Sequence, residues 1–212
     1  MLFPTLCAIT LIHPQSGLAY VNTLEPGVIV GLKFTGATDN GHPMGGDIVV
    51  ERKVGGQWKE VWRQPKLNPW KLTIGDLFSA GHQNIVVGVY KKSPMDPVME
   101  KRVFIYDWSG TRLKPKWLSS RLTCRFDDYA VFTPKGEPKA LLFSLDRLPA
   151  GKQRVSFYRP LPFGMQWSGG SPNVAGVARF EQTKKDLFIV GPKKTYRLVI
   201  SGNNLTLDWA SP

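Results

Sequence analysis

"RVFIYDWSGTRLKPKW", Arg102 to Trp117, is an alternating run, a Ser-Gly turn and a second run that closes on tryptophan. Apolar and polar residues alternating at period two, broken by a short turn, mark a β-hairpin. Three further segments end alike: "DIVVERKVGGQWKEVW" on Trp62, "RVSFYRPLPFGMQW" on Trp167 and "TYRLVISGNNLTLDW" on Trp209. The four closing tryptophans recur at intervals near the roughly 40 to 50 residues of a four-stranded propeller blade.

Another strand pair precedes each hairpin. These are "GLAYV" with "VIVGLKF", "KLTIGDL" with "NIVVGVYKK", "DYAVFT" with "KALLFSLDR", and "GVARFEQ" with "DLFIVGPKK". A Val-Gly step recurs at Val30-Gly31, Val87-Gly88 and Val190-Gly191, with Ser144 in that place in the third copy. Glycine inside a buried strand marks close approach of a neighbouring backbone. Each copy thus reads as strands A, B, C and D of a meander, and such units bury both faces by stacking around an axis. The expectation is an all-β fold, a β-propeller of about four four-stranded antiparallel blades. The blades would run 17–67, 68–124, 125–174 and 175–212 within one domain, 20–212. The repeated tryptophans belong on the outer strand, where they either pack between blades or stack on a ligand.

Lys plus Arg outnumber Asp plus Glu by 28 to 16, a net charge of +12 that suits an anionic partner. Two cysteines, Cys7 and Cys124, with no CxxC and no Cys/His cluster, argue against a disulfide framework and a structural zinc. No amphipathic helix follows a glycine-rich phosphate loop, which excludes P-loop and dinucleotide-fold enzymes. The first nineteen residues carry an apolar run from Leu2 to Ile12 and a small-x-small ending at Gly17 and Ala19. They read either as a secretory signal, which would place the protein in the periplasm or outside the cell, or as the first strand of a cytoplasmic domain. No other apolar run is long enough to span a bilayer.

The block Gly75 to Leu122, opening "GDLFSAGHQNIVVGVY", resembles the FG-GAP or VCBS-type repeats of integrin-like β-propellers in exported bacterial proteins. In those repeats an Asp-rich "DxDGDGxxE" loop between strands A and B binds calcium. This chain keeps Asp76 and then has Phe78, Ser79, Ala80, Gly81, His82 and Gln83. Calcium takes six to eight oxygen ligands, several of them carboxylates. The third and fourth copies, "TPKGEPK" and "EQTKKD", put lysines in that loop. The resemblance therefore implies a degenerate calcium loop kept as a tight connection, with no metal or other cofactor.

Meander topology puts A-to-B and C-to-D links at one end of each sheet, and B-to-C and D-to-A links at the other. The second end carries the long loops, "TGATDNGHPMGG", "KKSPMDPVMEK", "LSSRLTCRFDD" and "SGGSPNVAG", and long loops on a rigid scaffold are where binding sites sit. The candidate ligand-binding residues are Lys91, Lys92, Asp96, Lys101, Arg102, Ser119, Ser120, Arg121, Arg125 and Asp128. Their cations either clamp phosphate, sulfate or carboxylate groups or pair with Asp96, Asp127 and Asp128 to order the loops. Met44 and Met99 read as packing plugs at the loop bases.

A hydrolytic triad is disfavoured, because His82 lies at the end opposite Ser119 and Ser120. His42, beside Asp39 and Asp47, sits in a Gly-rich loop and reads as structural. Asp96, Glu100, Asp127 and Asp128 could serve a glycoside hydrolase, although neighbouring cations would depress the carboxyl that must act as acid. The expected role is non-catalytic binding of an anionic envelope polymer or a protein partner, with a carbohydrate-active enzyme as the alternative. The aromatic residues fall at core positions, so nucleic-acid binding would be non-specific.

Overall fold

The computed structural model describes residues 17–39, 41–79 and 81–210. The apolar run read as a signal lies outside them. The described residues form five antiparallel sheets and no α-helix. The first sheet joins β1 (Ala19–Glu25) and β2 (Val28–Lys33) to β5 (Asp47–Val54) and β6 (Gln57–Gln64). Within its B-to-C loop sits a small hairpin, β3 (Thr38–Asp39) with β4 (His42–Pro43). The second sheet holds β7 (Pro69–Ser79), β8 (His82–Ser93), β9 (Asp96–Trp108) and β10 (Leu113–Leu118). The third holds β11 (Phe126–Phe132), β12 (Leu141–Arg147), β13 (Gln153–Leu161) and β14 (Gly164–Gly170). The fourth holds β15 (Arg179–Gln182), β16 (Leu187–Val190), β17 (Thr195–Ser201) and β18 (Asn204–Ala210). Each four-stranded sheet is a meander in chain order.

The chain divides into two compact units. Of the described residues, the first comprises 17–74 together with Gln83–Arg121, and the second comprises Gly75–His82 and 122–210. In the first unit, Val30, Leu32, Ile48 and Val50 of one sheet share a buried cluster with Ile85, Val87, Phe104 and Tyr106 of the next. In the second, Phe143, Leu145, Val155 and Phe157 meet Phe180, Leu187, Ile189 and Leu198. Central strands read as near-continuous apolar runs because both their faces are covered.

One device recurs in both units. In the first, the Arg52 guanidinium on β5 donates to Gly110 O, in the C-to-D turn of the next sheet, at 2.9 Å, and pairs with Glu25 at the end of β1. In the second, Arg159 on β13 donates to Gly202 O, again in the next sheet's C-to-D turn, at 3.0 Å, and pairs with Glu137 in its own A-to-B link. At the corresponding places β9 has Tyr106 and Asp107, and β17 has Val199. The latch therefore joins sheets within each pair.

The repeated glycines make close approaches. A Cβ on Gly31 would lie 2.9 Å from Leu18 Cβ and 3.2 Å from Ala19 O, and one on Gly191 would lie 1.8 Å from Gly176 O. The tryptophans occupy the outer strands β6, β10, β14 and β18, but their packing is uneven. Trp62 lies against the first unit's core, whereas Trp167 and Trp209 are about half exposed. Trp167 Nε1 donates to Ser156 Oγ at 3.2 Å, and Trp209 meets Tyr196 edge to face. Of the four, Trp62 thus packs partly buried against its unit's core, while Trp167 and Trp209 make polar and edge contacts.

Candidate functional site

In the first unit, "KKSPMDPVMEK" is not the loop its prolines and charges suggest. Strand β8 runs on to Ser93 and β9 begins at Asp96, so the two pair as Tyr90↔Lys101, Lys91↔Glu100 and Ser93↔Asp96. On one side the neighbouring chain ends its bonding with Tyr90 NH to Asn68 O, 2.9 Å; on the other, with Ser119 NH to Val103 O, 3.2 Å. Beyond those bonds, among the described residues, the ladder continues as β8 with β9, a two-stranded arm. Isolated two-stranded hairpins are marginal in water.

Arg102 supports the arm. Its side chain is 0% exposed and lies among acceptors supplied by the arm itself. Nε donates to Lys91 O at 2.6 Å, one terminal nitrogen to Asp96 O at 2.9 Å and Val98 O at 2.8 Å, and the other to the Asp96 carboxylate at 3.2 Å. A buried guanidinium is tolerated only when paired and fully hydrogen-bonded. Arg102 is thereby corrected from a surface clamp to an internal staple.

Two other candidates are likewise spent on the fold. Ser119 is buried, and it exchanges bonds with Val103: its hydroxyl accepts from Val103 NH at 3.2 Å while its own NH donates to Val103 O. Ser171 repeats this with Val155 in the second unit, its Oγ accepting at 3.1 Å and its NH donating at 2.8 Å. Asp128, also in the second unit, is buried, and its Oδ2 accepts from Phe180 NH at 2.7 Å, tying β11 to β15. The remaining candidates face water to different degrees. Lys92, Arg121 and Arg125 are exposed, while Lys91, Asp96, Lys101 and Ser120 are half-buried. Lys101 Nζ lies 4.4 Å above the Trp70 ring. Arg121 belongs to the first unit and Arg125 to the second, so the cations that share a unit with the arm are Lys91, Lys92, Lys101 and Arg121.

Among the carboxylates considered for catalysis, Asp96, Asp127 and Asp128 are engaged. Asp96 pairs with Arg102; Asp127 accepts from Arg147 at 2.5 Å and from Gln153 Nε2 at 3.1 Å; Asp128 holds Phe180. Asp47 pairs with Arg63 at 2.6 Å and accepts from Lys66 NH, and His42 stacks on Tyr90 with ring centres 4.0 Å apart. Asp76, inside β7, accepts through Oδ2 from Gly81 NH at 2.6 Å, reaching across the A-to-B turn. Glu60 is held below the usual carboxylate range by its hydrogen bonds from Arg63, against some desolvation.

A polar network in the second unit escapes a reading by residue type. Asp146, 0% exposed, accepts from Ser144 Oγ at 2.5 Å, Ser156 Oγ at 2.6 Å and Arg154 at 3.2 Å. Arg154 also lies 3.7 Å from Cys124 Sγ, and the nearby Tyr158 phenol, its pKa raised mainly by burial, bonds Thr123 Oγ1 at 2.6 Å. The register aligns the quartet, since Ser144 pairs with Ser156 and Asp146 with Arg154, placing all four on one face at period two. The legible signal is a repeated frame: Arg102-Val103 and Arg154-Val155 each open strand C's core, and each is followed after strand D by the closing serine, Ser119 or Ser171.

The fold and these sites define an all-β protein of four antiparallel meanders with a stapled, basic arm. No family model matches the chain, and no curated protein matches it. Among the described residues no helix is long and apolar enough to cross a membrane.

Proposed function

We propose that the four meanders are blades of a small propeller descended from FG-GAP or VCBS-type repeats, and that the chain is a non-catalytic binding module of the cell envelope. Its ligand is an anionic envelope polymer or an acidic protein partner, met by the B-to-C and D-to-A loops of the first two sheets. The observation that carries the reading is the arm. A buried arginine gives it a fixed shape, and exposed Lys92 and Arg121 with half-buried Lys91 face an anion. The propeller part rests on four consecutive four-stranded meanders and on the latch that joins sheets one and two as it joins three and four. Export is supported by the apolar run from Leu2 to Ile12 and by the family resemblance. The engaged state of Asp96, Asp127 and Asp128 disfavours the carbohydrate-active alternative, because a general acid needs a carboxyl free to hold and release a proton.

The test is retention on immobilised anionic polysaccharide at low and moderate salt. Replacing Lys91, Lys92 and Arg121 together by Ala is expected to weaken retention about tenfold or more. Replacing Lys184 and Lys185, exposed in the fourth sheet's A-to-B link, leaves it nearly unchanged. Equal losses from both variants would reduce the effect to bulk charge and overturn the site.

A further inference from the structure

We infer that the arm is an insertion finger for an anionic lipid surface. The inference deepens the binding reading above and rests on it, since it assigns the surface that this loop end meets.

The tip, Ser93 to Val98, is the most water-exposed apolar part of the first unit. Met95 is 85% exposed and Val98 45%, and Pro94 and Pro97 are exposed beside them. Entering a bilayer requires that backbone polar groups have partners without water. The tip meets part of that demand. Pro94 and Pro97 have no NH to satisfy, and the Asp96 and Val98 carbonyls accept from Arg102 at 2.9 and 2.8 Å. Asp96, the one charge at the tip, is neutralised by the same guanidinium. At the arm's base, where phosphate headgroups would lie, stand Lys91, Lys92 and Lys101, a cationic excess over the single Glu100 opposite Lys91. Arg121 follows Ser119, whose bonds to Val103 mark the arm's root. An apolar point collared by cations matches the layering of an anionic bilayer, with acyl chains beneath phosphates.

Shape separates this occupant from a protein groove. Two apolar side chains on a narrow convex arm fall far short of the roughly 800 Å² per partner that a stable protein interface buries, whereas a fluid bilayer moulds itself around a point. The staple also removes the ordering cost on insertion, because the arm already has its shape.

The experiment is co-sedimentation of the full chain with vesicles of phosphatidylcholine and phosphatidylglycerol in equal parts, against phosphatidylcholine alone. Retention on soluble dextran sulfate is measured in parallel. Met95→Ser with Val98→Ser is expected to lower binding to the mixed vesicles about tenfold or more, since it removes the apolar insertion without changing the charge. It leaves dextran sulfate retention within about twofold, because the cations remain. Both side chains are exposed, so the variant keeps its fold. Unchanged vesicle binding in this variant overturns insertion while leaving the electrostatic site standing. Parallel loss on vesicles and dextran sulfate overturns it as well, by making the tip part of a general anion site. A wild-type chain that binds neither ligand sinks both readings, and tip-dependent capture of a protein without vesicle affinity replaces lipid with that protein.

Discussion

At the scale of single residues, the same amino acid does opposite work according to whether the backbone leaves it an exit to water. Lys92 and Arg121 stay exposed, while Arg102 is enclosed by carbonyls of its own hairpin. Glycine shows the constraint most sharply at Gly191, where an added Cβ would sit 1.8 Å from Gly176 O. A clash with backbone cannot be relieved by turning a side chain. Gly191→Ala is therefore expected to cost about 3 kcal/mol, read as a lower urea midpoint, while Gly110→Ala at an open turn acts only through its positive φ of 86°. The recurring glycines are legible in the sequence because close approach admits one residue type. Burial of Arg102 is not legible, because its acceptors are mainly backbone oxygens, which every residue carries.

Among the elements, the strands and their order follow from alternation, and the four hairpins closing on tryptophan are readable before any coordinates. The arm is hidden because Pro94, Pro97 and dense charge in "KKSPMDPVMEK" imitate loop chemistry. The latch is hidden too, since Arg52 and Arg159 sit in runs that differ in every neighbouring residue. Arg159 is the better enclosed of the two, with its side chain 28% exposed against 44% for Arg52, and it adds a 3.1 Å bond to Asn203 Oδ1. Arg159→Ala is expected to destabilise by about 2 kcal/mol through lost charge-assisted bonds, and Arg52→Ala by less than about 1 kcal/mol. Thermal unfolding of the two variants side by side measures the difference, and a reversed order would show that latch strength does not follow enclosure.

For the molecule as a whole, the surplus of cations sets what it meets and the buried phenols set its alkaline limit. Burial raises the Tyr106 phenol from 10.0 to about 12, because the core penalises phenolate. The folded chain then keeps a proton that the unfolded chain releases, so stability is full below about pH 10 and falls as pH climbs towards 12. At about 1.4 kcal/mol per pH unit, this group alone removes about 3 kcal/mol over that window. Tyr106→Phe should flatten the decline in urea midpoint between pH 10 and 12, and an unchanged slope would remove Tyr106 as its source. The arm is held by a different means. A guanidinium keeps its proton throughout, and three of the four Arg102 bonds end on carbonyl oxygens that never titrate. The tip is thus a preset tool, its contour written mainly in main-chain oxygens that every residue carries.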